Sequence, residues 1–131
     1  MYIPPGFNTI APYFFVDRAE EFVSFLVNGL GGKETCRTMR PNGVIQNVQV
    51  QIGDSTVMVS QATDRYPPMA AAFYLYVANA DQAMQQALDH GAALEMPVAD
   101  MPYGDRQGGV KDQHGNIWWI SQRIVEQPYS P

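Results

Sequence analysis

The sequence predicts an α+β fold: two repeated βαβββ modules whose strands form a curved mixed sheet around a cavity. Three observations carry that prediction. First, "FFVDRAEEFVSFLVNGLGG" (14–32) resembles "LYVANADQAMQQALDHGA" (75–92), with Ala19 falling on Ala80 and Glu20 on Asp81, a spacing of 61. Second, the same spacing of 61 carries "GDSTVMVSQ" (53–61) onto "HGNIWWISQ" (114–122), so that Ser60-Gln61 lands on Ser121-Gln122. Third, the segments outside the helices alternate with the period of two that belongs to strands.

The elements follow in order. A first strand spans roughly 9–16, and a helix spans roughly 18–30, where Phe22, Leu26 and Leu30 recur at helical spacing and Gly31-Gly32 stop it with positive φ. "KETCRTMR", a tight turn at "PNG", "VIQNVQVQI", a turn at "GDS" and "TVMVSQ" complete the first module. The second module gives a strand at "AFYLYVA", a helix over 80–90 closed by Gly91, a strand near 93–97, a long loop over 98–109, "GVKD" and a last strand at "NIWWISQR". The expected organisation is a single domain, 1–131, with module one over about 8–61, module two over about 70–123 and a loose tail over 124–131.

Composition narrows the function classes. A chain of 131 residues with 46% hydrophobic and 16% charged residues is long enough for a buried core and is not of disordered type. A net charge of -5 leaves no basic surface for phosphates, which excludes nucleic acid as a partner, and an acidic surface draws cationic small molecules. Cys36 is the one cysteine, so no intramolecular disulfide forms, and nothing in "KETCRTMR" lowers its pKa towards a nucleophile. "MYIPPGFNTI" lacks the basic start and apolar stretch of a signal peptide, and "PPMAAAFYLYVANA" is too short to span a bilayer. The expected location is the cytoplasm, with no membrane partner.

Strand alternation assigns two faces. Phe14, Val16, Val57, Val59, Phe73, Leu75, Val77, Trp118 and Ile120 take one parity, joined in the middle strand by Val48, Val50 and Ile52, and suit packing under the helices. The other parity carries Ala11, Tyr13, Phe15, Met58, Ser60, Ala72, Tyr74, Tyr76 and Trp119, with Asn47, Gln49 and Gln51 from the middle strand. An aromatic, amide-bearing face of this kind suits the wall of a small-molecule cavity, and equally the filling of a barrel or a subunit interface.

Two βαβββ units with this pattern resemble the vicinal oxygen chelate superfamily of glyoxalase I, extradiol dioxygenases and bleomycin-resistance proteins. The residues carrying the resemblance are "APYFFVDRAEEFVSFL", "VQIGDSTVMVSQ" and especially "PYGDRQGGVKDQHGNIWWISQ", which is similar to the ending of the PhnB-like branch. It covers about residues 5–123 and implies the glyoxalase/bleomycin-resistance fold. Enzymes of the family hold one divalent metal on four strand positions, and the resemblance sets these at Ala11, Met58, Ala72 and Trp119, where the spacing of 61 recurs from 11 to 72 and from 58 to 119. None is a ligand for a hard divalent ion; a lone methionine thioether is a packing residue. Where a metal-dependent relative carries a carboxylate, this chain has the Trp119 indole.

Other residues do not rebuild such a site in the sequence. His90 stands at a helix C-terminus and His114 in the "DQHG" turn, both structural positions. Asn47 and Gln49 match middle-strand positions where relatives often carry His and Glu; amides orient a ligand but are poor bases. Asp105 and Arg106 lie in the expected loop. Either Arg106 holds an anionic group with help from Tyr103, or the pair fixes the loop and the glycines let it bend. Arg37 and Arg40 border the cavity or stay solvated at strand edges.

The reading the sequence favours is a metal-free small-molecule-binding protein with an aromatic-lined cavity and no cofactor, its ligand aromatic or cationic. The residues expected to bind it are Tyr13, Phe15, Asn47, Gln49, Met58, Tyr74, Tyr76, Tyr103, Arg106 and Trp119. The alternatives are a metal-dependent lyase, isomerase or dioxygenase, and a non-catalytic interaction protein; no catalytic residue is assigned. The resemblance also implies a homodimer.

Overall fold

The computed structural model describes residues 1–130 and divides into two compact units, Met1–Ala70 and a second beginning at Ala71. The first unit contains β1 (Tyr13–Val16), α1 (Ala19–Ser24), β2 (Lys33–Met39), β3 (Ile45–Ile52) and β4 (Ser55–Gln61). These strands form one sheet in the order β1-β4-β3-β2, with β1 parallel to β4 and the other pairs antiparallel. The second unit repeats the plan with β5 (Ala72–Tyr76), α2 (Ala80–Asp89), β6 (Ala93–Asp100), β7 (Asp105–Lys111) and β8 (Ile117–Arg123), in the order β5-β8-β7-β6. The βαβββ repeat is therefore present, as two four-stranded mixed sheets with one short helix each.

Register reproduces the repeat residue by residue. Tyr13 pairs with Met58 and Phe14 with Val59 across β1 and β4; Tyr74 pairs with Trp119 and Leu75 with Ile120 across β5 and β8. The same correspondence holds in the hydrogen bonds that start the helices. Gln61 Oε1 accepts from the Ala19 amide at 2.9 Å, and Gln122 Oε1 accepts from the Ala80 amide at 2.9 Å, each across 42 residues. A helix leaves its first amides without internal partners, so a side chain arriving from the last strand of the module satisfies one of them.

The core parity is as expected for Phe14, Val16, Val48, Val50, Ile52, Val57, Val59, Trp118 and Ile120, all buried, with Phe22 and Leu26 packed from the helical side. The rings of Phe14 and Phe22 lie 4.8 Å apart. Phe73, Leu75 and Val77 are half-buried instead.

Four expectations change. The first strand begins at Tyr13 rather than near 9, just after Pro12, which has no amide hydrogen to give a ladder. The first helix is α-helical only to Ser24; over Phe25–Gly29 it widens to a π-turn, with the Leu30 amide bonded to the Phe25 carbonyl at 3.1 Å. The segment 98–109 is not one long loop. β6 runs to Asp100 and β7 starts at Asp105, joined by a tight turn in which the Met101 amide reaches the Asp105 carbonyl at 2.7 Å. Pro97 falls within β6, an edge strand of its sheet with an irregular register between Met96 and Ala99, where a proline is tolerated. The tail is not loose over 124–130: Arg123 Nε donates to the Gln127 carbonyl at 3.1 Å, and the Tyr129 hydroxyl donates to Asp105; Pro131 lies outside the described residues.

Candidate functional site

In the first unit, the face opposite the core carries Tyr13, Met58 and Gln49 abreast on β1, β4 and β3. A short hydrogen-bond chain crosses this face. Ser60 Oγ donates to the Gln46 carbonyl at 2.6 Å, so the Tyr13 hydroxyl supplies the proton in its 2.7 Å contact with Ser60 Oγ, and Asn47 Nδ2 donates to Tyr13 at 3.3 Å. The chain fixes the Tyr13 ring in place, 4.9 Å from that of Phe15. Phe15 in turn stacks on Tyr66 at 5.5 Å.

Tyr66 comes from the segment after β4, which turns back through the Thr63 amide to the Tyr66 carbonyl (2.9 Å) and reaches β1 through the Met69 amide to the Phe15 carbonyl (3.1 Å). The result is a hollow of about 440 Å³, lined by Tyr13, Phe15, Tyr66, Arg40, Gln46, Ser60, Gln61 and Thr63. A neighbouring hollow of about 600 Å³ lies between the N-terminal segment and Ala11, Gln49 and Met58. Thr56 Oγ1 donates to the Gly6 carbonyl at 2.6 Å and holds that segment down.

In the second unit, Tyr74 and Tyr76 stand on the equivalent face, 53% and 57% exposed, with their rings 5.9 Å apart. Trp119, beside Tyr74, lies over Gly109, its register partner on β7. A Cβ at 109 would meet the indole at 2.6 Å, and one at Gly108 would meet the Met84 sulfur at 2.9 Å from the helical side. The two glycines thus serve close approach on opposite faces of the sheet rather than bending of the chain.

Asp105 is fully buried and accepts hydrogen bonds from Ser121 Oγ (2.8 Å), Arg123 (3.0 Å) and Tyr129. Burial pushes its pKa up, but the hydrogen bonds from Tyr129, Arg123 and Ser121 outweigh burial and hold it below the ordinary carboxylate value. Since Tyr129 gives its proton to Asp105, Tyr76 donates to Tyr129 in their 2.9 Å contact. Tyr103 donates to buried Gln107.

Each unit holds its own share of the expected site residues. Tyr13 and Phe15 line the first hollow, Gln49 and Met58 the second, and Asn47 orients Tyr13. Arg106 is engaged within the second unit. It grips Asp81 at the start of α2 through two bonds of 2.9 and 3.0 Å and reaches Asp100 at 3.0 Å, and these carboxylates, Asp81 foremost, raise its pKa. The Asp105–Arg106 pair does not form; Asp105 takes Arg123 instead, because successive residues of a strand point to opposite faces. Arg37 is tied to Glu20 and Glu34, whereas Arg40 lines the first hollow. Tyr66 was not anticipated; it stands outside any strand, where alternation gives no signal.

The four positions at which the family's metal would sit do not fit one. Ala11 has no donor, and Met58 lines a hollow beside it with Gln49 as the nearby amide. Ala72 opens β5 and has no donor, and the Trp119 indole, which packs over Gly109, offers no lone pair to a metal. Among the described residues no three of His, Cys, Asp and Glu are grouped to hold an ion. His90 Nδ1 contacts the Gln86 carbonyl at 2.9 Å at the end of α2, and His114 sits in a turn organised by Asp112, as the sequence indicated.

The family model for the Glyoxalase/Bleomycin resistance protein/Dioxygenase superfamily matches residues 6–120. The chain belongs to this superfamily. An uncharacterized protein of Mycobacterium bovis is 28% identical over 131 residues, covering 89% of this chain and 84% of the relative. Among solved structures, TnmS3, an antibiotic binding protein from Streptomyces sp. CB03234, superposes with a TM-score of 0.72 at 20% identity, over 94% of this chain and 98% of that one. A PhnB protein from Bacillus cereus superposes at 0.64 with 13% identity, over 88% of this chain and 99% of that one. At these identities the two structures speak to the shared fold.

Proposed function

We propose that this chain is a metal-free binding protein for small aromatic molecules. The observation that carries the reading is the hollow of about 440 Å³ walled by Tyr13, Phe15 and Tyr66 on the face opposite the core. Its volume lies within the range of small-molecule sites, roughly 300–1,000 Å³, and three aromatic rings share its wall with five polar or charged residues that can orient a ligand. TnmS3, which shares this fold, is an antibiotic binding protein, and that supports a small-molecule-binding role. The alanine, methionine and tryptophan at the family's metal positions support the absence of a metal. Tyr74, Tyr76 and Trp119 present a second aromatic surface that we count as ligand-facing, and we count Tyr103 with them.

Binding is driven by burying the ligand's flat face against the open faces of these rings. Each aromatic pair contributes about 0.5–1.5 kcal/mol beyond the area it buries. The hydrogen-bonded Tyr13 and the strand-borne Phe15 are held before the ligand arrives, which limits the ordering cost of binding. Titration of the protein with a naphthalene-ring probe, followed by calorimetry, tests the reading. We expect saturable binding, weakened about tenfold or more by Tyr66→Ala and by Phe15→Ala; binding untouched by both substitutions overturns it. We also propose that the chain acts in the cytoplasm as a homodimer, its exposed Tyr74 and Tyr76 making an apolar surface that suits burial or ligand. A monomeric mass by light scattering would remove the dimer. No helix of the described residues is long and apolar enough to cross a membrane.

A further inference from the structure

Resting on that reading, we infer that the ligand taken by the hollow at Tyr66 is an aromatic anion: a flat ring system bearing a carboxylate or an ionised hydroxyl. The argument starts from the arginines. Arg18, Arg37, Arg106 and Arg123 are each held by a carboxylate at 3.0 Å or closer. Among the described residues no carboxylate holds Arg40, and it is the arginine in the wall of the hollow. Its side chain gives one bond, from Nη2 to the Gln61 carbonyl at 3.1 Å, which steadies the guanidinium at the rim. A guanidinium carries five N–H donors in a fixed fork, so donors remain for a planar acceptor. Arg65 lies over Tyr66 at 5.6 Å from the ring centre and adds a second cation on the outer side.

None of the eight lining residues is acidic. A cationic ligand would therefore lie against the aromatic wall with Arg40 beside it and no counter-charge in the wall. The net charge of -5 favours cations only at long range, and salt screens that field within about 8 Å at physiological ionic strength. The contact at Arg40 is local and partly shielded, so it decides the sign. Around it, Tyr13, Phe15 and Tyr66 supply the apolar faces, and Gln46 and Gln61 are among the remaining lining residues. An aromatic ring with an anionic substituent satisfies the rings and the guanidinium together.

Three probes of one shape and different charge test this by calorimetry: 2-naphthoate, 2-naphthalenemethanol and 2-naphthylmethylammonium. The expected result is that naphthoate binds at least tenfold more tightly than the ammonium. Arg40→Gln, which keeps a donor towards the Gln61 carbonyl, should bring the probes to within about threefold of one another, while Arg40→Lys should retain most of the preference. Circular dichroism and melting temperature establish that the variants are folded, and the ranking in the unaltered protein stands without them. If the ammonium binds as tightly as naphthoate, or Arg40→Gln leaves the preference intact, the inference fails while aromatic binding stands. If no probe binds, the inference and the reading beneath it fail together.

Discussion

A single methyl group at position 109 probes the packing of Trp119. Gly109→Ala places a Cβ within 2.7 Å of two indole carbons, so the ring must leave its seat on the strand or the sheet must yield. We expect a loss of about 1–3 kcal/mol in denaturant unfolding, the usual cost of overpacking. The loss should shrink in a Trp119→Ala background, because the two residues share one contact. Asp105 makes a second prediction, with a sign fixed by its depressed pKa. A carboxyl whose folded pKa lies below its unfolded value, about 3.9, contributes stability that is complete above the unfolded value and is lost as pH falls through the folded one. Asp105→Asn should lower stability at neutral pH and flatten its decline in acid, read as melting temperature against pH. An unchanged acid limb would contradict the role assigned to this carboxylate. Neither feature was legible beforehand. Register decides that Trp119 meets Gly109, and the fold decides that Asp105 faces Arg123 and Tyr129 rather than its chain neighbour.

At the scale of elements, the Ser-Gln pair ending each module was visible as a repeat, while its purpose was not. The glutamine side chain takes up the first amide of a helix 42 residues earlier, a partnership that no local pattern encodes. Gln61→Ala and Gln122→Ala should each cost about 1 kcal/mol, the typical worth of a helix cap, and should add, since they share no partner. Urea unfolding of the two single variants and the double reads this; a double variant no weaker than either single one would contradict it. Hydrophobic alternation placed the core and aromatic faces because side chains on a strand must alternate. It failed where structure is not periodic. Tyr66 lies on a returning segment, β6 carries a proline at the sheet edge, and the tail is held by the side chains of Arg123 and Tyr129.

At the scale of the whole molecule, the repeat spacing of 61 residues made the fold legible, and the family match over residues 6–120 agrees with it. The site was legible only in part. Tyr13 and Phe15 stand in the hollow where alternation put them, whereas Arg106 serves Asp81 and Asp100, and Arg40 takes the rim. At Ala11, Met58, Ala72 and Trp119, the positions to which the resemblance assigns the family's metal, no side chain offers a lone pair suited to a hard ion, and the metal-free proposal rests on that. The most direct measurement is calorimetric titration of chelator-treated protein with 2-naphthoate, in EDTA and again with nickel, zinc, manganese or iron(II), with melting temperatures taken alongside. A ligand at a hundredfold excess over its dissociation constant stabilises the native state by about 2.7 kcal/mol, so real binding raises the melting temperature clearly. The account predicts the same affinity with and without metal, and a melting temperature raised by naphthoate but by none of the ions. Binding that appears only when a metal is restored, or a metal that raises the melting temperature stoichiometrically, would contradict it.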